Sequence, residues 1–288
     1  MLKRGLAPCA IALVACAAGC AHAKWPDPPP VDPAKYQQEY ADFKKEQLET
    51  EAFALPLVGI WSLDEGDTAF GSDPALPIVL PASAAVAHAG VFHRKGNDVT
   101  VTPQAAGPPF VIGSIHFDVF PVPPADVMVK GSDDADPRLR DLTIETYPVD
   151  PTWRVAARFD AFEKPKVVPI ASTRGPVHDQ TAPGQLVFHL NQQEFRFTAL
   201  ADSGSDQLFV MFKDDTNGKT TFSGYRMLSA KAVPNGAWTV LDFNLARNPP
   251  CAYSPYTGCP LPPRENRLAV AIEAGEKRFP TDKGFPLQ

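Results

Sequence analysis

Two apolar runs in the second half of the chain decide its fold class: 185-QLVFHL-190 and 194-EFRFTAL-200. Leucine, valine and phenylalanine make up four of the six residues of the first run, and the second run places phenylalanine at alternate positions, over lengths that are typical of β-strands. Comparable runs recur roughly every 10–15 residues with turn-forming residues between them, which predicts a sandwich or a barrel. The other runs of this half are 142–149, 153–159, 208–212, 220–228, 237–244 and 268–274.

The same kind of pattern continues towards the N-terminus. The chain of 288 residues contains 32 prolines, which argues against long helices because proline breaks them. Short strand patterns occur at 57–61, 78–80, 91–93, 99–101 and 110–120. The polar stretch 131-GSDDADPRLRD-141 separates the two groups of strands. We therefore predict an all-β protein with two sandwich-like or barrel-like parts, an N-terminal β part at 55–130 and a C-terminal β domain at 131–288.

A stalk and one short amphipathic helix are expected ahead of the strands, within 24–54. The stretch 24-KWPDPPPVDP-33 is rich in proline and predicts an extended, semi-rigid stalk. Asp32 is a typical N-cap residue, and Pro33 suits the first turn of a helix. Aromatic residues then recur at helical spacing and form one apolar stripe, at Tyr36, Tyr40 and Phe43.

Residues 1–23 resemble a signal peptide of the bacterial lipoprotein type. The basic pair Lys3-Arg4 precedes an apolar run that is too short to span a bilayer. Two sequences similar to a lipobox end at Cys16 and Cys20, either of which would be the lipidated residue. Ala21-His22-Ala23 also fits ordinary cleavage, which would release a soluble protein. We expect export to the periplasmic face of the cell envelope, with a lipid anchor in the membrane.

The cysteines outside this segment are Cys251 and Cys259. A pair of cysteines in an exported protein predicts a disulfide. The alternative, a reactive thiolate or a metal ligand, needs a neighbouring base or positive charge, and no histidine lies near either cysteine in the sequence. The disulfide is therefore the first interpretation.

Several functional classes lack any sequence support. The net charge is −6 and no lysine–arginine cluster indicates a nucleic-acid partner. Nucleotide-binding glycine loops and the zinc-protease and serine-hydrolase motifs do not occur in the sequence. The six histidines do not have the spacing of metal ligands. We expect no metal and no cofactor.

One loop combines the residues best suited to a binding site: 241-LDFNLARNPPCAYSPYTGCPLPPRENRL-268. Its polar side chains have two possible roles. They could satisfy the backbone groups of an irregular, proline-stiffened loop, or they could line a ligand pocket walled by Tyr253, Tyr256 and Arg267. The candidate ligand residues, including two from neighbouring strands, are Asp214, Arg226, Asp242, Asn244, Asn248, Tyr256, Glu265, Asn266 and Arg267.

Four stretches resemble the bacterial domain-of-unknown-function family 1684: 58–81, 147–159, 212–228 and 242–268. The last stretch is the most specific of them. The resemblance implies no established activity, and it implies that many members are exported or lipidated. We therefore expect an uncharacterised envelope lipoprotein, a non-enzymatic binding or structural module whose partner is a small molecule, a glycan or a protein. The alternative is a hydrolase that uses the carboxylates Asp214, Asp242 and Glu265 for acid–base chemistry.

The N-terminal β part is also faintly similar to the opening of a forkhead-associated domain. The similarity lies in Gly71-Ser72-Asp73 followed by the apolar residues 78–80. Phosphate recognition in that fold needs an arginine after the glycine, where this chain has Ser72. The similarity therefore concerns the fold, and we expect no phosphopeptide binding.

Overall fold

The structure is a computed structural model, and it describes residues 25–103, 109–122, 126–173, 177–202 and 204–280. The signal segment with Cys16 and Cys20 lies outside the described residues. One helix, α1 (Pro33–Ala54), is followed by strands throughout. The prediction of an all-β protein preceded by one helix is confirmed, and the described strands form open sheets rather than a closed barrel.

The strands of the first half are β1 (Leu57–Leu63), β2 (Gly66–Gly71), β3 (Ile78–Val79), β4 (Gly90–Lys95), β5 (Asp98–Thr102), β6 (Phe110–Ile112), β7 (Ile115–Val122) and β8 (Asp126–Asp133). The strands of the second half are β9 (Arg154–Ile170), β10 (His178–Leu190), β11 (Gln193–Ala199), β12 (Gln207–Phe212), β13 (Arg226–Lys231) and β14 (Trp238–Asp242).

Helix α1 begins where the sequence predicts. The Asp32 side chain accepts a hydrogen bond from the Lys35 backbone N–H at 3.0 Å, and Pro33 occupies the first turn. The aromatic stripe faces the protein: Phe43 is buried, and the Tyr40 hydroxyl donates to Thr146 Oγ1 at 2.7 Å. Helix α1 thus packs against the C-terminal half, although the N-terminal strands follow it in the chain.

The N-terminal β part is a two-layer sandwich. One sheet has the strand order β1-β8-β7-β6 and the other β3-β2-β4-β5. Phe70, Phe92 and Phe117 pack between the two sheets with ring centroids 4.6–5.3 Å apart, which fixes one shared core. The run 110–120, predicted as one strand, is a hairpin of β6 and β7, because Gly113 has φ +64° and turns the chain.

The two ends of this sandwich lie side by side. Strand β8 continues to Asp133, past the predicted boundary after residue 130, and pairs antiparallel with β1. Leu57 lies opposite Ser132, and the Asp133 backbone N–H donates to the Pro56 carbonyl at 2.8 Å. The chain therefore leaves helix α1, builds the sandwich and returns to nearly the same point.

The C-terminal part is built around the sheet β11-β10-β9-β14, with β12 and β13 as a separate antiparallel pair. The stretch 185–200 forms a hairpin in which Leu190 pairs with Gln193. Asn191 and Gln192 have φ values of 51° and 65°, as a two-residue turn between right-twisted strands requires. Phe188, Phe197 and Phe212 pack into the core that these strands share.

Two predicted strands, 142–149 and 268–274, are irregular segments. Their apolar residues are buried, with Ile144 at 5 % and Ile272 at 0 % exposure. The bridge nearest to both segments joins Thr146 to Glu276, two residues beyond the end of the second segment. The apolar pattern of these segments therefore reports burial and not strand pairing. The predicted strand 220–228 likewise pairs with β12 only from Arg226 onward, where Arg226 lies opposite Phe212.

The proline-rich stretch 25–32 lies on the C-terminal sheet. The Trp25 indole N–H donates to the Ala156 carbonyl at 3.0 Å, and the ring stacks on His189 with centroids 4.1 Å apart. Arg154 Nη1 donates to the Pro29 carbonyl at 3.0 Å. Over the described part of the chain, no helix has both the length and the hydropathy to cross a membrane.

Candidate functional site

The structure places the nine predicted ligand residues in separate polar clusters. The first is a buried ion pair: Arg226 Nη2 donates to Asp214 Oδ2 at 2.7 Å, and both side chains have 0 % exposure. The same guanidinium donates to the carbonyls of Ile272, at 2.9 Å, and Ala274. The pair therefore fixes the irregular segment 268–274, although Arg226 Nε has no hydrogen-bond partner among the described residues.

The second cluster lies at the end of β14. Asp242 accepts from the Asn244 backbone N–H and side chain at 3.1 and 2.9 Å, and it pairs with Arg154 Nε at 3.1 Å. The Asn244 amide exchanges two hydrogen bonds of 3.0 Å with the backbone of Asp150. Burial raises the pKa of Asp242, and hydrogen bonds from Asn244 and Tyr36 together with the charge of Arg154 oppose this rise.

The third cluster joins the loop to the edge of the sheet. The Asn266 side chain accepts from the Thr198 backbone N–H at 2.7 Å and donates to the carbonyls of Thr198 and Met211 at 3.0 and 2.9 Å. Glu265 accepts from the Thr198 hydroxyl at 2.9 Å. Asn266 thus pairs with β11 as a neighbouring strand would. Arg267 is exposed.

The fourth cluster surrounds the carboxyl group of Glu276, which is 2 % exposed. The Asn248 backbone N–H and side-chain amide donate to it at 2.8 and 2.7 Å, and Gln47 of helix α1 donates at 3.0 Å. The Tyr253 hydroxyl also donates to Glu276. Burial raises the pKa of Glu276 in spite of these hydrogen bonds. Asn248 therefore lies beside a second buried acid that the sequence interpretation missed.

That acid has a neighbour on helix α1. Glu51 is 2 % exposed, and its Oε2 atom has no hydrogen-bond partner among the described residues. Burial and the nearby charge of Glu276 raise the pKa of Glu51 to about 7. One sequence signal could have revealed Glu51: Phe43, Gln47 and Glu51 follow each other at four-residue spacing along the buried face of the helix.

Both acids line a cavity of about 260 Å³, which we call the Glu51 pocket. Charged side chains of both signs surround it. Other residues that line it are Pro137, Arg138, Asp141, Thr143, Glu145, Lys277, Arg278, Phe279 and Pro280. The pocket thus lies where helix α1, the turn 137–141 and the segment 276–280 meet, beside the loop that contributes Asn248 and Tyr253.

Cys251 and Cys259 form a disulfide with a Cα–Cα distance of 5.7 Å, as the sequence predicts. The Cys259 backbone N–H donates to Thr173 Oγ1 at 3.0 Å, which fixes the closed loop to the segment that follows β9. Tyr256, between the two cysteines, is half-buried and does not line the Glu51 pocket.

A second cavity of about 470 Å³ opens on the other side of this loop. Its lining is mostly apolar and comprises Ile170, Ser172, His178, Gln180, Leu200, Asp202, Phe209, Met211 and Pro260. None of the nine predicted ligand residues contributes to it. Across the described residues, no group of three or more histidine, cysteine, aspartate or glutamate side chains is arranged to hold a metal ion.

The model of a family described as "Protein of unknown function (DUF1684)" matches residues 142–277. The chain belongs to the DUF1684 family. The matched residues contain three of the four stretches on which the resemblance rests, and the stretch 58–81 lies outside them. They also contain Glu276 and three other residues of the Glu51 pocket, Thr143, Glu145 and Lys277, whereas Glu51 itself precedes the DUF1684 match.

The chain is also similar to an uncharacterised protein of Haloarcula marismortui whose solution NMR structure is known. The two share 33 % identity over 46 % of this chain and 75 % of that one, with a TM-score of 0.41. A search of curated proteins found no match. The comparisons thus assign a family and no activity.

Proposed function

We propose that this DUF1684 protein is an exported envelope lipoprotein that binds a small polar molecule in the Glu51 pocket, between helix α1 and the C-terminal part, without catalysis. Glu51 Oε2 carries the proposal: it is a buried carboxyl oxygen of a residue that lines the cavity, and it has no hydrogen-bond partner among the described residues. Buried polar atoms are nearly always paired, so a ligand or water that donates to this oxygen is expected.

The pocket lies beside the loop 242–267, but none of the nine predicted ligand residues lines it. Asn248 and Tyr253 of that loop hold Glu276 in place behind the pocket. The other predicted residues are occupied in hydrogen bonds and ion pairs within the protein or lie away from the cavity. The loop therefore positions the site instead of lining it.

Export and lipid anchoring rest on the sequence alone, since residues 1–24 lie outside the described structure. The Cys251–Cys259 disulfide supports the proposal, because disulfides persist in oxidising compartments. Labelled palmitate should be incorporated into the full chain, and replacing Cys16 and Cys20 singly should identify the modified residue. A chain that carries no label and begins at Lys24 would refute the anchor.

The hydrolase alternative loses its support in the geometry. Asp214 pairs with Arg226, Asp242 with Arg154, and Glu265 bonds to Thr198. These partners belong to three different clusters, so no hydrogen bond or shared partner brings the three carboxylates together. We therefore propose no function based on them.

Ligand binding can be tested by a screen of small polar metabolites, read as a rise in melting temperature. We expect a compound that stabilises the wild-type protein to lose this effect in Glu51→Ala. The variant Glu265→Ala, which changes a carboxylate outside the pocket, should retain the effect. Binding that survives Glu51→Ala but fails after a change in the apolar cavity, such as Phe209→Ala, would place the site elsewhere and refute the proposal.

A further inference from the structure

The charges around the Glu51 pocket define what it can bind. Glu276 receives its four hydrogen bonds from neutral groups, the side chains of Gln47 and Tyr253 and the amides of Asn248. Two neighbouring buried carboxyls without a counter-charge cannot both ionise at low cost, so one of them retains a proton near neutral pH. A bound cation would remove the need for that proton.

At several positions the rim of the pocket carries positively charged side chains. Arg138, Lys277 and Arg278 lie around the opening, together with the acids Asp141 and Glu145. Arg138 is held in place by Asp136, which accepts from its Nε and Nη2 atoms at 2.6–3.1 Å. The three cationic side chains of this rim offer partners for an anionic group. A molecule that carries both a positive and a negative charge can pair with the buried carboxyls and with the cationic rim residues at the same time.

The size of the cavity limits the ligand further. Its volume of about 260 Å³ is below the range of about 300–1,000 Å³ that is typical of drug-sized ligands. Phe279 lines the cavity and packs edge-on against Tyr253, with ring centroids 5.1 Å apart, which supplies a limited apolar wall. The site thus suits a compound about as large as an amino acid.

We infer that the Glu51 pocket takes a small zwitterion, with its ammonium group between the carboxyls of Glu51 and Glu276 and its acidic group at the rim formed by Arg138, Lys277 and Arg278. The inference rests on the proposed binding function and names its ligand class. On binding, the proton of Glu51 passes to solvent and the ammonium N–H groups donate to the carboxylate that remains. No other bond forms or breaks.

Release of a proton on binding distinguishes a ligand that displaces the proton of Glu51 from one that only occupies the pocket. The groups that face Glu51 from the surrounding elements are Glu276, Tyr253, Arg138, Asp141, Glu145, Lys277 and Arg278. Among these groups, Glu51 has a pKa of about 7, raised by burial and by Glu276. At pH 6, release of about one proton per bound ligand is therefore expected, falling towards zero at pH 8.

The test compares three molecules of one shape: 4-aminobutanoate, butylamine and butanoate. Titration calorimetry in two buffers of different ionisation enthalpy should show 4-aminobutanoate binding at least about tenfold more tightly than either singly charged analogue. Glu51→Gln, which keeps the shape of the protonated side chain, should weaken binding about tenfold and abolish the proton release. The matched rim variant Glu145→Gln should keep the proton release.

The outcomes separate this inference from the proposed function. Equal binding of butylamine and 4-aminobutanoate would overturn the role of the rim, and binding without proton release would overturn the role of Glu51. If neutral polyols bind through Glu51 and the zwitterion does not, the binding function stands and the ligand class is wrong. If nothing in the wider screen binds in a Glu51-dependent way, the proposed function itself is refuted.

Discussion

Buried polar side chains in the C-terminal part act mainly as substitutes for strand pairing. Asn266 bonds to both backbone groups of Thr198, and Arg226 donates to two carbonyls of the segment 268–274. Such bonds are needed because this half of the chain buries irregular backbone, whose N–H and C=O groups must find partners. Residues that look like binding groups in the sequence are therefore structural in most cases.

The buried ion pair gives a prediction at this scale. Arg226→Met removes the guanidinium and leaves the Asp214 carboxylate without a counter-charge at 0 % side-chain exposure. We expect the free energy of unfolding to fall by about 3–5 kcal/mol, measured by urea denaturation. The double variant Asp214→Asn, Arg226→Met should lose less, because no buried charge remains unpaired. A single variant no less stable than the double one would show that the pair contributes little.

Glu51 gives a second prediction, on pH dependence. Its pKa in the folded protein is about 7, above the ordinary value of 4.5, because burial and Glu276 disfavour the charged form. The folded state therefore binds the proton more tightly than the unfolded state, and stability falls as the pH rises from 4.5 to 7. We expect wild type to lose about 3 kcal/mol relative to Glu51→Gln over this range. Parallel stability curves for the two proteins would contradict the assignment.

At the scale of elements, sequence periodicity predicts paired strands well and buried coil poorly. In the hairpin 185–200 the apolar run Leu186-Val187-Phe188 is buried and its residues pair one by one with the next strand, so its pattern and its structure agree. The segment 268–274 shows the same apolar density, yet it is held by Arg226 and Asp214, which are distant in the sequence. Such long-range partners leave no local signal.

The candidate site was predictable only in its position near the loop 242–267. Asn248 belongs to the predicted set and contacts Glu276, whereas Glu51 and Glu276 themselves were not expected. An acid on the buried face of the helix is informative, but its role depends on Glu276, more than two hundred residues later in the chain. Their pairing depends on tertiary structure, which composition and spacing do not encode locally.

The disulfide loop gives a prediction for one element. Cys251 and Cys259 are eight positions apart, and the loop also contains Tyr253, which bonds to Glu276. Replacing both cysteines by serine should lower the free energy of unfolding by about 2–3 kcal/mol. Hydrogen exchange should accelerate mainly in residues 250–260. Acceleration spread evenly over the C-terminal sheet would instead show that the bond supports the whole domain.

Across the whole molecule, the order of the elements along the chain differs from the way they pack against one another. Helix α1 comes first in the sequence but packs on the C-terminal half, through Tyr40 with Thr146 and Gln47 with Glu276. The N-terminal sandwich lies between them in the chain, and its two ends meet where Pro56 bonds to Asp133. The sandwich is thus an insertion into a domain formed by α1 and the C-terminal part, and closely spaced ends are the usual condition for such an insertion.

This arrangement predicts which part of the chain can be removed. Replacing residues 57–132 by a short glycine–serine linker should leave a folded protein, because the linker needs to bridge only the neighbouring positions 56 and 133. The shortened chain keeps Glu51, Arg138 and Glu276, so the pH dependence assigned to Glu51 should persist.

Deleting 25–54 instead removes Gln47 and Glu51 from above Glu276 and exposes the buried face of the C-terminal part. We expect dispersed NMR amide signals and cooperative melting from the first variant and their loss in the second. The reverse outcome would mean that helix α1 is dispensable and that the sandwich stabilises the C-terminal fold.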